Sequence, residues 1–178
     1  MSTEGAQNEP EEEIERDQYL VFKIKSQEYG LKAMLIQEIS AMFDIKEVPN
    51  APAYIDGIMN LRGRLVSIIN FRKKFGFEAK EHDEETRIVY VEHEGFPIGI
   101  IVDSVEEVIR ITDDKMQKLP ETAITTMSEK YIEGVGMLDE RLIIVLDAKK
   151  VLDKADVAGI GAADMQGAGQ PAGEQAAA

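Results

Sequence analysis

The sequence predicts an all-β protein made of two small β-barrels, and three observations support this class. The first is an internal repeat: residues 54–75 return in altered form as residues 131–152 at a constant offset of 77, with Tyr, Ile, Gly, Leu, Arg, Leu and Lys identical. The second is a series of short, β-rich segments separated by turn residues, and the third is the small number of helical patterns. Closed barrels suit such apolar strands because they leave no sheet edge exposed.

Each copy of the repeat predicts a strand, a tight turn, a second strand and a short helix. In the first copy, residues 55–61 are apolar enough for a strand and residues 62–63 supply the turn. The apolar run at residues 65–69 is typical of a strand that is buried on both faces. Asn70 stands where a helix N-cap belongs, and Asp147 is its counterpart in the second copy.

A weaker similarity extends the repeat towards the N-terminus. Residues 29–31 align with residues 98–100, and residues 36–39 with residues 105–108, both at an offset of 69. An insertion of 8 residues before the second copy accounts for the change of offset. The remaining strands are expected, in chain order, at residues 19–24 and 28–33 around a turn at Ser26 and Gln27, and at residues 42–48, 87–92, 96–102 and 108–111.

Composition divides the chain into three parts. Residues 1–17 are acidic with almost nothing apolar, and residues 155–178 are rich in Gly and Ala with no periodic face, so we expect both to be disordered. The domain between them should cover residues 18–154, with the second barrel mainly at about residues 86–147. The charged stretch at residues 77–85 is expected to be a surface loop that connects the halves.

Charge and residue usage exclude several classes of function. A net charge of −14 and a pI near 4.6 argue against a basic face for nucleic acid. The absence of cysteine excludes disulfides and thiolate chemistry. No apolar stretch approaches the ~20 residues that span a bilayer, and the acidic N-terminus does not resemble a signal peptide. We therefore expect a soluble cytoplasmic protein without direct membrane insertion.

The sequence does not predict a catalytic site, a metal site or a cofactor. Its two histidines, His82 and His93, lie in a charged connection and at a hairpin tip, where both are expected to face solvent. No glycine-rich phosphate loop follows a strand. Arg62 and Arg64 at the first hairpin tip are candidate binding residues, because a guanidinium can donate to a carboxylate or to carbonyls. Pattern alone leaves open that they are solvated turn residues.

These residues resemble the CheW family of chemotaxis coupling proteins. The similarity lies in the run from Asn60 to Gly63, in the segment at residues 55–58 before it and in the apolar run after it, and it extends over residues 18–152. Two positions depart from the family pattern, which usually has Pro where Ser67 stands and often Asp at Asn70. Asn70 retains the capping chemistry and Ser67 restores a backbone donor, so neither change puts the family in doubt.

The resemblance implies a fold, a function and partners. The fold would be two SH3-like five-stranded β-barrels with short helices. The function would be that of a non-catalytic adaptor that couples methyl-accepting chemotaxis receptors to the histidine kinase CheA. The kinase's regulatory domain would bind apolar residues of the first barrel, and the cytoplasmic tip of the receptor would enter the groove between the barrels. The residues at the coupling turn would be Asn60, Leu61, Arg62, Gly63 and Arg64.

We place Ile36, Ile39, Val105 and Val108 near that groove because they hold equivalent positions in the two copies. Two other functions stay open. One is a stand-alone CheW-like regulatory domain of another kinase pathway. The other is a small β-barrel enzyme, which would need a pocket with convergent perturbed groups that the sequence does not announce.

Overall fold

The computed structural model describes residues 15–123 and 130–152. The predicted acidic leader falls almost wholly, and the Gly/Ala-rich tail entirely, outside these ranges, so the division of the chain into leader, domain and tail stays a prediction. In the described ranges no helix has the length and apolar character needed to cross a membrane. The strands are β1 Gln18–Ile24, β2 Gln27–Lys32, β3 Ile36–Ala41, β4 Ile55–Leu61, β5 Arg64–Asn70, β6 Arg87–His93, β7 Phe96–Val102, β8 Ser104–Arg110, β9 Met116–Gln117, β10 Ile132–Leu138 and β11 Arg141–Leu146.

Short helices follow the second strand of each repeat: α1 is Phe71–Lys74 and α2 is Ala148–Val151. The strands form two sheets, one in the order β8-β1-β2-β11-β10-β9 and the other in the order β3-β6-β7-β5-β4. The all-β, two-subdomain prediction is therefore confirmed. One sheet has five strands as expected, and the other gains a sixth from the two-residue strand β9.

The sheets are not built from consecutive halves of the chain. The first hairpin, β1-β2, joins the sheet that holds the second repeat, and the hairpin β6-β7 joins the sheet that holds the first. Each exchange is made by a parallel pairing, β2 with β11 and β7 with β5. Residues 86–147 are thus not one barrel. In a duplicated sequence each hairpin fits either copy equally well, so the pattern alone cannot choose between the two pairings.

Two local expectations also change. The first turn is at Lys25 and Ser26, which both have positive φ, one residue earlier than expected. The strand expected at residues 42–48 is replaced by β3, and only Lys46 of that segment pairs, with Ile58. Ile36–Ala41 gives no clear alternation in sequence, because its partly buried positions carry Glu38 and Ser40 after Ile36 while Ile39 and Ala41 are exposed.

Three apolar cores hold the sheets together. Two of them are each formed by one sheet. One lies around Ile68 and Tyr90 in the sheet that holds the first repeat, and the other lies around Val21 and Ile143 in the sheet that holds the second repeat. The third and largest lies between the sheets and takes side chains from both. It contains the aromatic residues Phe22, Tyr29, Phe71, Phe75 and Tyr131, whose neighbouring ring centroids are 5.2–6.1 Å apart.

The glycine shared by both copies of the repeat is required by a close crossing of two chain segments. Gly57 has φ of +147°, and a Cβ there would lie 2.0 Å from the carbonyl oxygen of Lys46. Its equivalent, Gly134, would place a Cβ 2.8 Å from the carbonyl oxygen of Gln117. Both segments cross the first strand of a repeat at the same point, since Lys46 pairs with Ile58 and Gln117 pairs with Val135. The identity at this position is thus steric in origin.

Both predicted helix caps are present. The side chain of Asn70 accepts a hydrogen bond from the backbone N–H of Lys73, and that of Asp147 accepts one from Lys149. Asn70 also donates its amide to Asp56 across 3.1 Å. A carboxylate at position 70 could not make this second bond, which accounts for Asn where the family often has Asp.

A buried lysine links the two copies. Lys74 is 8% exposed, and its ammonium lies 4.7 Å from the centroid of the Tyr54 ring and 5.4 Å from that of Tyr131. These tyrosines are equivalent residues of the two repeats. The cation–π contacts therefore join the start of one repeat to the start of the other.

The connection at residues 77–85, between α1 and β6, is held in its conformation by Asp83. Its carboxylate accepts hydrogen bonds from the backbone N–H groups of Glu85 and Thr86, and it forms an ion pair with Lys80 at 3.0 Å. The Lys80 ammonium, followed by the Glu85 amide, lowers the pKa of Asp83 to about 2. The expected surface loop is therefore locally structured.

We expect the loop to lose this structure in acid. Because the pKa of Asp83 is lower in the folded chain than the ordinary 3.8, its contribution is fully present above about pH 4 and disappears as the pH falls through about 2. Carboxyl-carbon NMR should show Asp83 titrating near pH 2, and Lys80→Met should move that midpoint upward. A titration near pH 3.8 in the native protein would contradict the contacts described.

Candidate functional site

The first hairpin tip is a tight turn with a fixed shape. Arg62 and Gly63 both have positive φ, 53° and 84°, as a two-residue turn of this hand requires. The side-chain oxygen of Asn60 accepts a hydrogen bond of 2.8 Å from the N–H of Gly63. Asn60 thus holds the turn that presents Arg62. Asparagine and glycine in the run from Asn60 to Gly63 therefore have conformational roles.

The arginines of the tip lie against the edge of the sheet. Arg62 pairs with Glu38 of β3 at 2.7 Å, although its own side chain is 78% exposed. Arg64 approaches Glu92 of β6 at 3.8 Å, and Glu92 also accepts from Gln37 at 2.7 Å. Exposed pairs of this kind contribute about 1 kcal/mol or less to stability. These ion pairs orient the β4-β5 turn towards β3 and β6, on the other side of the same sheet.

The Arg62–Glu38 ion pair joins two of the predicted groups of residues, those at the coupling turn and those on β3. Ile39 follows Glu38 directly on β3 and is 41% exposed, and Leu65 follows Arg64 and is 49% exposed. Adjacent residues of a strand point to opposite faces, so Ile39 and Leu65 are exposed on the faces opposite to Glu38 and Arg64. We call Ile39, Arg62, Arg64 and Leu65 the tip surface. Sequence reasoning missed Leu65, because it expected residues 65–69 to be buried on both faces. The first two residues of β5, Arg64 and Leu65, are in fact both exposed.

The four aliphatic residues assigned to the groove are not equivalent in the structure. Ile36 and Val105 are partly buried and pack against the central core, whereas Ile39 and Val108 are exposed. They lie on β3 and β8, each of which is the last strand at one side of its sheet. The space between the sheets is largely filled by the central core. Whether these residues form a receptor site remains a proposal.

The second hairpin tip is also joined by an arginine to the edge strand of its sheet, but its turn carries different charges. Arg141 pairs with Glu28 at 2.9 Å and with Glu107 at 2.6 Å, and these two acceptors raise its pKa. Glu107 is the equivalent of Glu38, so each tip is joined by an arginine to the edge strand of its sheet. Asp139 takes the position of Arg62, with φ of 51°. The two copies thus present tips of opposite charge on the same scaffold.

Groups suited to acid–base chemistry do not converge in the described ranges. His82 is exposed on the connection, and His93 is half-buried at the end of β6 rather than fully in solvent as expected. Burial raises the pKa of Tyr19 to about 12 and also raises the pKa of Tyr29 and Tyr90, which keeps these phenols protonated. In the part of the chain described, no three acidic or histidine side chains are placed to hold a metal ion.

Comparison with known proteins agrees with the resemblance seen in the sequence. Residues 18–156 match the family described as the CheW-like domain. The chain belongs to this family. It is 34% identical over 141 residues to the chemotaxis protein CheW of Klebsiella aerogenes, covering 79% of this chain and 84% of that protein. It is 32% identical over 150 residues to the chemotaxis protein CheW of Helicobacter pylori, covering 84% and 88%.

A solved structure of the CheW-like family has the same fold. The crystal structure of the scaffolding protein TtCheW from Thermoanaerobacter tengcongensis superposes with a TM-score of 0.68 at 32% identity, covering 74% of this chain and 89% of that one. A shorter match, 25% identical over 127 residues, is to the chemotaxis protein CheV3 of Helicobacter pylori, of which it covers 41%. The exchanged-hairpin fold of this chain is therefore placed within a family that contains scaffolding proteins.

Proposed function

We propose that this CheW-like protein is a cytoplasmic, non-catalytic scaffold that couples chemotaxis receptors to the histidine kinase CheA. Its similarity to chemotaxis proteins and to a scaffolding protein supports the process and the scaffolding role. The observation that carries the proposal is the tip surface. It combines exposed aliphatic residues with two guanidinium groups on a protein whose net charge is −14. The equivalent surface of the second copy has Asp139 in place of Arg62, so the added positive charge is particular to the first copy.

A scaffold needs contacts that are rigid in position and modest in strength. The tip surface fits this need, because its turn is fixed by Asn60 and its arginines are directed by Glu38 and Glu92. Weak contacts suffice in an assembly that repeats them many times, since each new contact forms at high effective concentration. We assign the run from Asn60 to Arg64 to kinase or receptor contact, and Ile36, Ile39, Val105 and Val108 to the receptor.

We expect Arg62→Ala to weaken binding to one partner and not to the other. The guanidinium is 78% exposed and contributes little to stability, so its loss should reduce affinity by about five- to thirtyfold where it is buried in an interface. Calorimetric titration against the regulatory domain of a CheA-type kinase and against the cytoplasmic receptor tip would assign it. Lys118→Ala, which removes a cation exposed on another loop, is the matched control.

Failure of the native protein to bind either the folded kinase domain or the receptor tip would overturn the coupling role. The stand-alone regulatory domain of another kinase pathway would then remain, since it shares the fold but not these partners. A small β-barrel enzyme has no supporting observation among the described residues.

Ile39→Asp should reduce receptor affinity at least tenfold without unfolding the protein. The side chain is 41% exposed and outside the three cores, so a carboxylate stays hydrated in the free protein and is desolvated only in the complex. Receptor binding and the thermal midpoint should be measured together. Ile36→Asp provides a contrast, because that side chain packs against the central core and its replacement should lower the midpoint itself. Unchanged receptor affinity in Ile39→Asp would remove β3 from the interface.

A further inference from the structure

Strand β3 contains a β-bulge at Gln37. Ile36 lies opposite Val91 of β6, and the register then shifts. Glu38 lies opposite Tyr90, which is adjacent to Val91 on β6, so Gln37 is an extra residue on β3. An extra residue of this kind bends an edge strand and changes which of its side chains share a face.

Strand β8 contains the same bulge in the second copy. Val105 and Glu107 lie opposite adjacent residues of β1, so Glu106 is the extra residue there. Glu106 is the equivalent of Gln37 at the offset of 69. Both edge strands therefore depart from regular pairing at one shared position of the repeat, which indicates that the bulge is a feature of the fold and not a local irregularity.

The bulges explain the spacing of the aliphatic residues on the two edge strands. Residues three apart lie on opposite faces of a regular strand. Ile36 and Ile39 nevertheless both lie opposite valines of β6 that belong to the central core. Val105 and Val108 both lie opposite core residues of β1. Because directly opposed residues share a face, each bulge brings its pair of aliphatic residues onto the side of the central core.

The bulge of β3 also lets two adjacent polar residues make contacts on the other face of the sheet. Glu38 lies opposite Tyr90 and pairs with Arg62. Gln37 donates its side-chain amide to Glu92 across 2.7 Å. Glu92 is two residues from Tyr90 on β6 and therefore lies on the same face. In a regular strand Gln37 and Glu38 would point to opposite faces, and only one of them could make such a contact.

The second copy repeats this arrangement with other side chains. Glu107 pairs with Arg141 at 2.6 Å, and Glu106 lies 3.5 Å from the ammonium of Lys23. Lys23 is the equivalent of Glu92 at the offset of 69. The contact of the extra residue is thus made in both copies, by an amide and a carboxylate in the first and by an ion pair in the second. This recurrence favours a role for the contact itself.

We propose that Gln37 is a positioning residue of the tip surface. Its hydrogen bond fixes the Glu92 carboxylate, and the oxygen that accepts this bond also lies 3.8 Å from the Arg64 guanidinium. Gln37 thus acts on Arg64 through Glu92. Its neighbour Glu38 acts on Arg62 directly. The inference rests on the proposed function, because it concerns the contact that the tip surface makes with a partner.

A double-mutant cycle between Gln37 and Arg64 tests this role. Gln37→Leu keeps a side chain of similar size and removes the amide donor, so it should weaken binding to the partner of Arg64 about threefold. In the Arg64→Ala background the same substitution should change affinity by less than about 1.5-fold, since the group that Gln37 positions is gone. That partner is the kinase regulatory domain or the receptor tip, whichever binds Arg64→Ala more weakly in calorimetric titration.

A conservative variant and a matched control complete the cycle. Gln37→Lys should restore affinity to within about 1.5-fold of the native value, because an ammonium can donate to Glu92 as Lys23 pairs with Glu106 in the second copy. Gln117→Leu makes the same change at an exposed residue of β9 and should leave affinity unchanged. The thermal midpoint of Gln37→Leu should stay within about 3 °C of the native value, because exposed contacts contribute little to stability.

The outcomes separate this inference from the function on which it rests. Equal losses on Gln37→Leu in both backgrounds would show a structural role that does not pass through Arg64, and would overturn the inference. An Arg64→Ala variant that binds both partners as tightly as the native protein would also overturn it. In both cases binding by the native protein remains intact. Loss of the scaffold function itself would instead appear as native protein that binds neither partner.

Discussion

Gly57→Ala should destabilise the protein by about 3–5 kcal/mol, the sum of backbone strain and steric overlap. The new Cβ would lie 2.0 Å from the Lys46 carbonyl oxygen, and the backbone φ of +147° is one that side chains other than glycine rarely adopt. A flexible side chain could move away, but a backbone carbonyl that itself accepts the Ile58 amide at 2.8 Å cannot do so cheaply. The midpoint of urea unfolding should fall at a nearly constant slope.

Gly76→Ala is the matched control. Gly76 also has positive φ, +81°, but nothing lies within 4 Å of its added Cβ, so only the strain of about 1 kcal/mol should be measured. Gly134→Ala should fall between the two, because its Cβ would approach the Gln117 oxygen at 2.8 Å. Equal losses at Gly57 and Gly76 would show that the crossing with residue 46 does not constrain the first repeat.

Phe71→Ala should cost about 3–5 kcal/mol, the usual result of truncating a fully buried phenylalanine. The ring has no exposed surface and lies 6.1 Å from Phe22 and 5.2 Å from Phe75, centroid to centroid. It belongs to the core between the sheets. We therefore expect both sheets to lose stability together, in a single transition.

The measurement should follow unfolding by far-ultraviolet circular dichroism and by tyrosine fluorescence, which is accessible because the chain has no tryptophan. Coincident curves in the native protein and in Phe71→Ala would show that the central core couples the sheets. Phe43→Ala, at a ring that is 56% exposed, should change stability by about 0.5 kcal/mol or less. Separate transitions for the two probes would contradict the coupling.

The parts of the fold that depend on neighbouring residues could be predicted from the sequence. The turn at Arg62 and Gly63, the cap at Asn70 and the hairpin around Glu94 each follow from the chemistry of a few adjacent residues, and each is present. The family follows from the same residues.

The parts that depend on distant pairing could not be predicted. The hairpins β1-β2 and β6-β7 are exchanged between the copies. Because the two copies are similar, each hairpin could pair with either one, and the sequence does not indicate which. The exposure of Leu65 was missed because an unbroken apolar run conceals the alternation of a strand's two faces. The same holds for the site residues. The structure joins Arg62 to β3, the strand that carries Ile39, but the partner that these residues contact is determined by the surface of another protein.

The lysine between the two tyrosines has a consequence for the ancestry of the chain. Lys74 lies at nearly equal distances from Tyr54 and Tyr131, and its own equivalent is Val151. A protein assembled from two second repeats would have valine in place of Lys74 and would lose the cation that contacts both rings. The contact between the two starts therefore depends on a difference that arose between the copies.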